Sequence, residues 1–133
     1  MIKRSYTLVL RGILQDPQGR FLLMQRSAQS KGWPGKWEFP GGKVDRGEEL
    51  TQALIREWKE ETGLAIVPLA CLDVFAWEHG HDRILYFIFR VRAKNLDVKK
   101  SFEHDAWGWF TAAQIKKLDV APALKQVIKT LCV

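Results

Sequence analysis

Three glutamates packed into just over one turn of a helix restrict this sequence more than any other feature. The segment Asp45–Thr62 carries the strongest helical signal in the chain. Asp45 can cap it, Glu48 three residues on completes a capping-box pattern, and Gly63 stops it. At about 100° per residue with Glu57 as zero, Glu61 falls at about 40° and Glu60 at about −60°, so the three carboxylates share one side. Leu50, Leu54 and Trp58 fall at about 20°, 60° and 100°, so the acids adjoin and partly overlap the stripe that must face the core. Like charges at i,i+3 and i,i+4 repel, by a few tenths of a kcal/mol even in water. Moving them toward a desolvated cleft costs several times more unless cations neutralise them. A divalent ion with hard oxygen ligands removes the conflict, and Mg²⁺, or Mn²⁺ in its place, suits carboxylates and phosphate oxygens. A solvated acidic face flanked by Arg56 and Lys59 accounts for the same pattern, so the helix by itself leaves both readings open.

The surroundings favour a site. Phe39-Pro40-Gly41-Gly42-Lys43 lies just before the helix, and paired glycines let backbone approach a ligand closely enough for a carbonyl to coordinate. The chain has 21 Lys plus Arg against 15 Asp plus Glu, a net charge of +6 that is compatible with anionic partners. The basic residues are scattered, with doublets only at Lys3-Arg4, Lys99-Lys100 and Lys116-Lys117, so no nucleic-acid partner is required to explain them.

The 133 residues, 47% hydrophobic and 27% charged, fit one soluble domain spanning 1–133. No stretch approaches the roughly 18–20 uninterrupted apolar residues of a membrane span. Arg11 cuts short the apolar run at the N-terminus and no cleavage pattern follows, so Tyr6–Leu14 is expected as a strand rather than a targeting segment. Cys71 and Cys132 fit no metal or disulfide pattern and are expected as buried, reduced thiols of a cytoplasmic protein.

Turn chemistry at Asp16-Pro17-Gln18-Gly19 predicts that Phe21–Gln25 pairs back on the first strand as a hairpin. Ser27–Pro40 is expected as a long, functional loop. Strands are expected at Ala65–Trp77, Arg83–Ala93 and Trp107–Phe110, and short helices at Ala112–Leu118 and Ala123–Leu131. The order gives an α+β fold, a mixed sheet sandwiched between helices (α/β/α). The apolar run Ile84–Phe89 is a candidate edge through which a homodimer could form.

Gly42, Glu48, Arg56-Glu57, Trp58, Glu60-Glu61, Gly63 and Leu64 match the pattern G-x5-E-x7-R-E-U-x-E-E-x-G-U, U being a bulky apolar residue, at every spacing. The chain thereby resembles the Nudix hydrolase family, and its hairpin, Trp-Glu-Phe-Pro-Gly-Gly-Lys segment and later strands resemble the MutT-like branch. The one departure is Trp58, where an aliphatic residue is usual. The resemblance implies a Mg²⁺-dependent hydrolase of a diphosphate linkage. Glu57, Glu60 and Glu61 would hold the metal together with the Gly41 carbonyl. Arg56 would orient a neighbouring carboxylate, and Glu48 would be structural. A further acid is expected from the loop Ser101–Asp105, with Glu103 preferred to Asp105. Either Glu57 or Glu103 would serve as base, and His104 is expected to be a surface residue.

Cationic Arg26, Lys36 and Lys43 are candidates for the phosphates. Among the six Trp, Trp33, Trp37, Trp77, Trp107 and Trp109 lie in or beside loops, where a ring can stack on a nucleobase. Core packing accounts better for Trp58 and Trp109, and Trp37 stays a candidate because it adjoins the Gly-Gly segment. The branch that cleans oxidised purine nucleotides reads the base with an asparagine where Ala121-Pro122-Ala123-Leu124 places Leu124. A nucleoside triphosphate, cleaved to monophosphate and pyrophosphate, is therefore the expected substrate. ADP-ribose, a nucleotide sugar, an RNA 5′ end, or a binding module without turnover are the alternatives.

Overall fold

A computed structural model describes residues 5–101 and 103–131, so the expectations that touch Lys3-Arg4, Phe102 and Cys132 lie outside the described residues. Along the chain run β1 (Thr7–Ile13), β2 (Phe21–Arg26), β3 (Trp37–Glu38), β4 (Gly41–Lys43), α1 (Leu50–Thr62), β5 (Ile66–His79), β6 (Asp82–Ala93), β7 (His104–Phe110), α2 (Ala112–Ile115) and α3 (Pro122–Leu131).

The β layer divides into two sheets, β4-β1-β6-β5 and β3-β2-β7. Pairing of β1 with β6 is parallel, and every other pair is antiparallel. Here the hairpin expectation needs correction. The turn closes as its residues dictate, with Gly19 N donating to Asp16 O at 2.9 Å, and Leu22 N reaching Leu14 O at 3.1 Å. The ladder then stops, because β4 and β6 occupy both sides of β1 and leave no edge for β2. Phe21–Arg26 instead forms the centre of the second sheet.

Strand alternation sends the side chains of β1 to two cores. Val9 and Ile13 join Leu23, Phe39, Ile88, Leu124 and Ile128 on the side of α2 and α3. Leu10 and Leu14 join Leu22, Leu54, Trp58, Leu64 and Phe89 on the side of α1. This is the α/β/α arrangement expected. The Trp58 indole is fully buried and occupies the space where Gly12 has no side chain. Among the described residues its Nε1 finds no hydrogen-bond partner.

Helix α1 begins later than Asp45. Gly47 takes φ 81°, a left-handed conformation that interrupts any helix starting there. Asp45 N still donates to Glu48 Oε1 at 3.0 Å, so half of the capping pattern survives as a turn before the helix. Gly63 ends α1, its N–H donating to Lys59 O at 3.0 Å.

Two further expectations change with the topology. Ile84–Phe89 lies in β6, between β1 and β5, so it is not an edge; β5 is. Cys71 is exposed on that edge strand rather than buried, because much of β5 faces solvent. Among the described residues no helix is long and apolar enough to cross a membrane.

Candidate active site

The two glycines before α1 set the geometry of the site. Gly41 pairs with Arg11 of β1, and the alternation of the antiparallel ladder turns its peptide groups away from β1. Its N–H donates to Glu61 Oε2 at 2.9 Å, and its carbonyl opens on the same side. With φ 155°, Gly41 leaves no room for a side chain, since a Cβ would run into the Leu10 carbonyl. At Gly42 a Cβ would overlap the Glu57 carboxylate, so that carboxylate fills the space glycine leaves. We expect Gly42→Ala to cut turnover by about 10²-fold by displacing Glu57 about 1 Å. Parallel measurements of phosphate release and thermal unfolding check this, and an unchanged rate would show that the position of Glu57 does not matter.

Arg56 is the centre of an acidic cage. It donates to both oxygens of Glu48 at 2.8 and 2.9 Å, to Glu57 at 2.9 Å and to the Lys43 carbonyl at 3.2 Å. Asp45 and Glu60 each approach it to 3.4 Å. The bonds from Arg56 hold Glu48 down at about pKa 2, and the same bonds raise Arg56 itself. Glu48 thus anchors Arg56, and Arg56 positions Glu57. Glu60 points outward, its side chain 59% exposed.

The inner acids are in a different environment. Burial raises the Glu57 pKa against the pull of Arg56. Glu61 is only 8% exposed, and burial pushes it up to about 8 despite the nearby Arg11 guanidinium and the Gly41 N–H. His104 Nε2 lies 4.0 Å from Glu61 Oε1, too long for a hydrogen bond. Burial lowers the His104 pKa. The expectation that His104 is a surface residue is therefore corrected: it is 4% exposed because β7 starts three residues before Trp107. The ladder from β2 to β7 shifts between Gln25 and Arg26, so alternation along β7 breaks before His104 and no local pattern displays its burial.

In a second group, Arg26 was expected as a site cation but its partners Arg11 and Glu38 were not. Arg11 pairs with Glu38 at 3.2 Å, and Glu38 also accepts from Arg26 at 2.8 Å. The trio ties the two sheets together at the base of the cleft. The available signal was Arg11 itself, an arginine at an interior alternation position between Val9 and Ile13.

A cleft of about 930 Å³ opens over these groups, within the size range of small-molecule sites. Of the expected residues, Gly41, Glu57, Glu61, Arg26, Lys43 and Glu103 line it, as does Trp33. Glu60 and Trp37 do not line it. Trp37 packs edge-on against Phe110 at 5.0 Å. Arg26 is held by Glu38, Ser30 and the Gly32 carbonyl, and Lys36 is ion-paired to Asp119. Asp105 accepts from Ala28 N at 3.2 Å.

Among the described residues no group of three His, Cys, Asp or Glu converges into a ready-made metal cage. Arg56 holds the outer oxygen of Glu57, and Glu60 faces out. The chemistry of the inner donors nevertheless fits a hard divalent cation. Glu57 and Glu61 are carboxylates kept in unfavourable burial, and the Gly41 carbonyl opens beside them.

The model of the NUDIX domain matches residues 6–131. The nucleoside triphosphatase NudI of Klebsiella pneumoniae is 31% identical over 123 residues, covering 84% of this chain and 87% of that protein. A putative 8-oxo-dGTP diphosphatase of Mycobacterium tuberculosis is 38% identical over 93 residues, 67% of this chain and 63% of its own length. The crystal structure of a MutT protein from Methanosarcina mazei superposes with a TM-score of 0.85 at 30% identity, covering 96% of this chain and 93% of that one. A family match over nearly the whole chain, on a fold that brings the glycine pair and the acidic helix together, makes this protein a member of the NUDIX family.

Proposed function

We propose that this enzyme hydrolyses nucleoside triphosphates to the monophosphate and pyrophosphate, with Mg²⁺ as the working ion and Mn²⁺ as a substitute. The observation that carries the reading is the desolvated pair Glu57 and Glu61 beside the open Gly41 carbonyl. Two acids held at a cost in a cleft are suited to divalent cations and the phosphates those cations bind. The relatives support the class of substrate: one is named for nucleoside triphosphates and another for an oxidised deoxyguanosine triphosphate.

Glu57, Glu61 and the Gly41 carbonyl would hold the ion, joined by Glu103 from the rim and by Glu60 once its exposed side chain turns inward from Arg56. A bound divalent cation would supply charge neutralisation for the diphosphate and a lowered pKa for the attacking water. The chain's own residues do the remainder. Arg56 fixes the direction of Glu57 through the anchor at Glu48. Glu57 or Glu103 accepts the proton of the water. Lys43 at the rim is placed for a phosphate oxygen, whereas Arg11 and Arg26 are both paired with Glu38. The partner is a free nucleotide, with neither nucleic acid nor membrane needed, and a cytoplasmic location and a single domain over 1–133 are part of the same reading.

Leu124 is 2% exposed in an apolar recess beside Tyr86 and Val127, and offers no hydrogen-bonding group to a base edge. In a panel of nucleoside triphosphates, 8-oxo-dGTP, ADP-ribose and a nucleotide sugar, we expect pyrophosphate release from triphosphates only when Mg²⁺ is present. We expect kcat/KM for 8-oxo-dGTP within about tenfold of dGTP, the worth of one ordinary hydrogen bond. Cleavage confined to ADP-ribose or sugar nucleotides would overturn the substrate class. Tight nucleotide binding with no turnover would overturn the enzymatic reading.

A further inference from the structure

Tyr86 has a property that the chemistry at Glu57 and Glu61 leaves unused. The residue is 5% exposed, its ring stacked on Phe75 at 5.2 Å with 27° between planes. Buried tyrosine hydroxyls normally find a hydrogen-bond partner. Among the described residues the Tyr86 hydroxyl makes no hydrogen bond, and Tyr86 lines the cleft with Arg11, Lys43, Glu57 and Glu61. A donor on a rigid, buried ring that opens on a cleft and has no protein partner is placed to receive one from a ligand.

Strand register says which part of the ligand arrives there. Lys43, Val9 and Tyr86 lie side by side on β4, β1 and β6, so all three present side chains to the same face. Two strand spacings separate β4 from β6, about 10 Å in total. Glu57 and Glu61 come from the α1 face and reach the cleft around the β4 edge, Glu57 against Gly42 and Glu61 on the Gly41 N–H, next to Lys43. A diphosphate seated at that end extends across about one strand spacing. The next unit of a nucleotide is the sugar, and it falls over β6.

We propose that the Tyr86 hydroxyl hydrogen-bonds a 2′- or 3′-hydroxyl of the substrate sugar, and so selects nucleotides that carry one. The inference rests on the triphosphatase reading and adds a contact to it. The test compares wild type with Tyr86→Phe on a ribonucleoside triphosphate and on the matching 2′,3′-dideoxy triphosphate, each at saturating Mg²⁺. Circular dichroism and thermal unfolding verify that the variant is folded. The expected result is that the ratio of kcat/KM between the two substrates falls by about tenfold in Tyr86→Phe, through KM rather than kcat. Equal losses on both substrates would move the contact to a phosphate or the base and overturn the proposal. Unchanged kinetics on both would also overturn it, leaving the triphosphatase reading intact. If wild type releases no pyrophosphate from either substrate, the triphosphatase reading itself fails, and this contact with it.

Discussion

In Glu61→Gln, activity and stability should move in opposite directions. Turnover is expected to fall on the order of 10²–10³-fold, the scale of losing one fixed electrostatic partner in a water-poor site. The metal-free protein at pH 8 should instead unfold about 3–6 °C higher than wild type. The stability argument follows from burial. Glu61 is pushed up to about 8 in the folded protein, whereas an unfolded chain leaves a glutamate near its ordinary value of 4.5. A raised carboxylate pKa means that the folded state holds the proton more tightly, so the associated stability is complete below the unfolded value. It is lost as pH rises through the folded one. Between pH 6.5 and 8 the metal-free wild type should therefore lose stability steadily. His104, whose pKa is depressed, makes its opposite contribution below that window. Glutamine keeps the oxygen that accepts from Gly41 and removes the charge, so the slope should shrink in the variant to what Glu57, also raised by burial, contributes. Excess Mg²⁺ should flatten it in wild type. Melting curves across that range, with chelator and with Mg²⁺, decide the matter. A wild-type melting temperature that is flat or rising in chelator would show that Glu61 is not held against a desolvation cost.

Gly12→Ala should be the most destabilising conservative change outside the cleft, at about 2–4 kcal/mol. A methyl group at Gly12 would lie inside the indole of Trp58, which is fully buried and cannot swing outward. The penalty belongs to the pair. Trp58→Leu alone leaves a cavity but also removes an indole N–H that is buried without a partner. In the double variant Gly12→Ala, Trp58→Leu, the methyl group takes up part of that cavity. It should be at least 1.5 kcal/mol more stable than the sum of the single effects predicts, a coupling typical of residues in contact. Denaturant unfolding of the four proteins measures it, and additive effects would refute the steric account.

This pair also explains the one departure from the Nudix pattern. The indole at position 58 is accommodated because β1 carries a glycine opposite it, a relation between residues 46 positions apart. Nothing local to either residue displays it. The acids on α1, by contrast, were legible because helical periodicity acts over three or four residues. That periodicity placed Glu57 and Glu61 together beside the apolar stripe, and the glycine pair before it pointed to the same end of the helix. What could not be read was how far each acid is desolvated. The burial of Glu61 depends on β4 lying across it and on β7 bringing His104 close, and both contacts come from distant pairing. The two-sheet division was hidden for a related reason. The Asp16–Gly19 turn has hairpin chemistry and forms as expected, but the partners of β1 are chosen by β4 and by the parallel β6, far along the chain. Arg26 and Lys36 looked like free cations because their counterions, Glu38 and Asp119, reach them only through the folded arrangement.

The position of β5 at the outside of its sheet bears on how copies of this protein behave when crowded. A 14-residue outer strand with exposed Val67, Leu69 and Val74 would ordinarily template the addition of further strands. Here its ladder to β6 is offset twice, between Pro68 and Ala70 and again between Cys71 and Asp73. Each offset turns the backbone out of line, and Pro68 has no N–H to offer. An incoming strand meets a border broken twice instead of one continuous ladder, which limits how much of its length can template further strands.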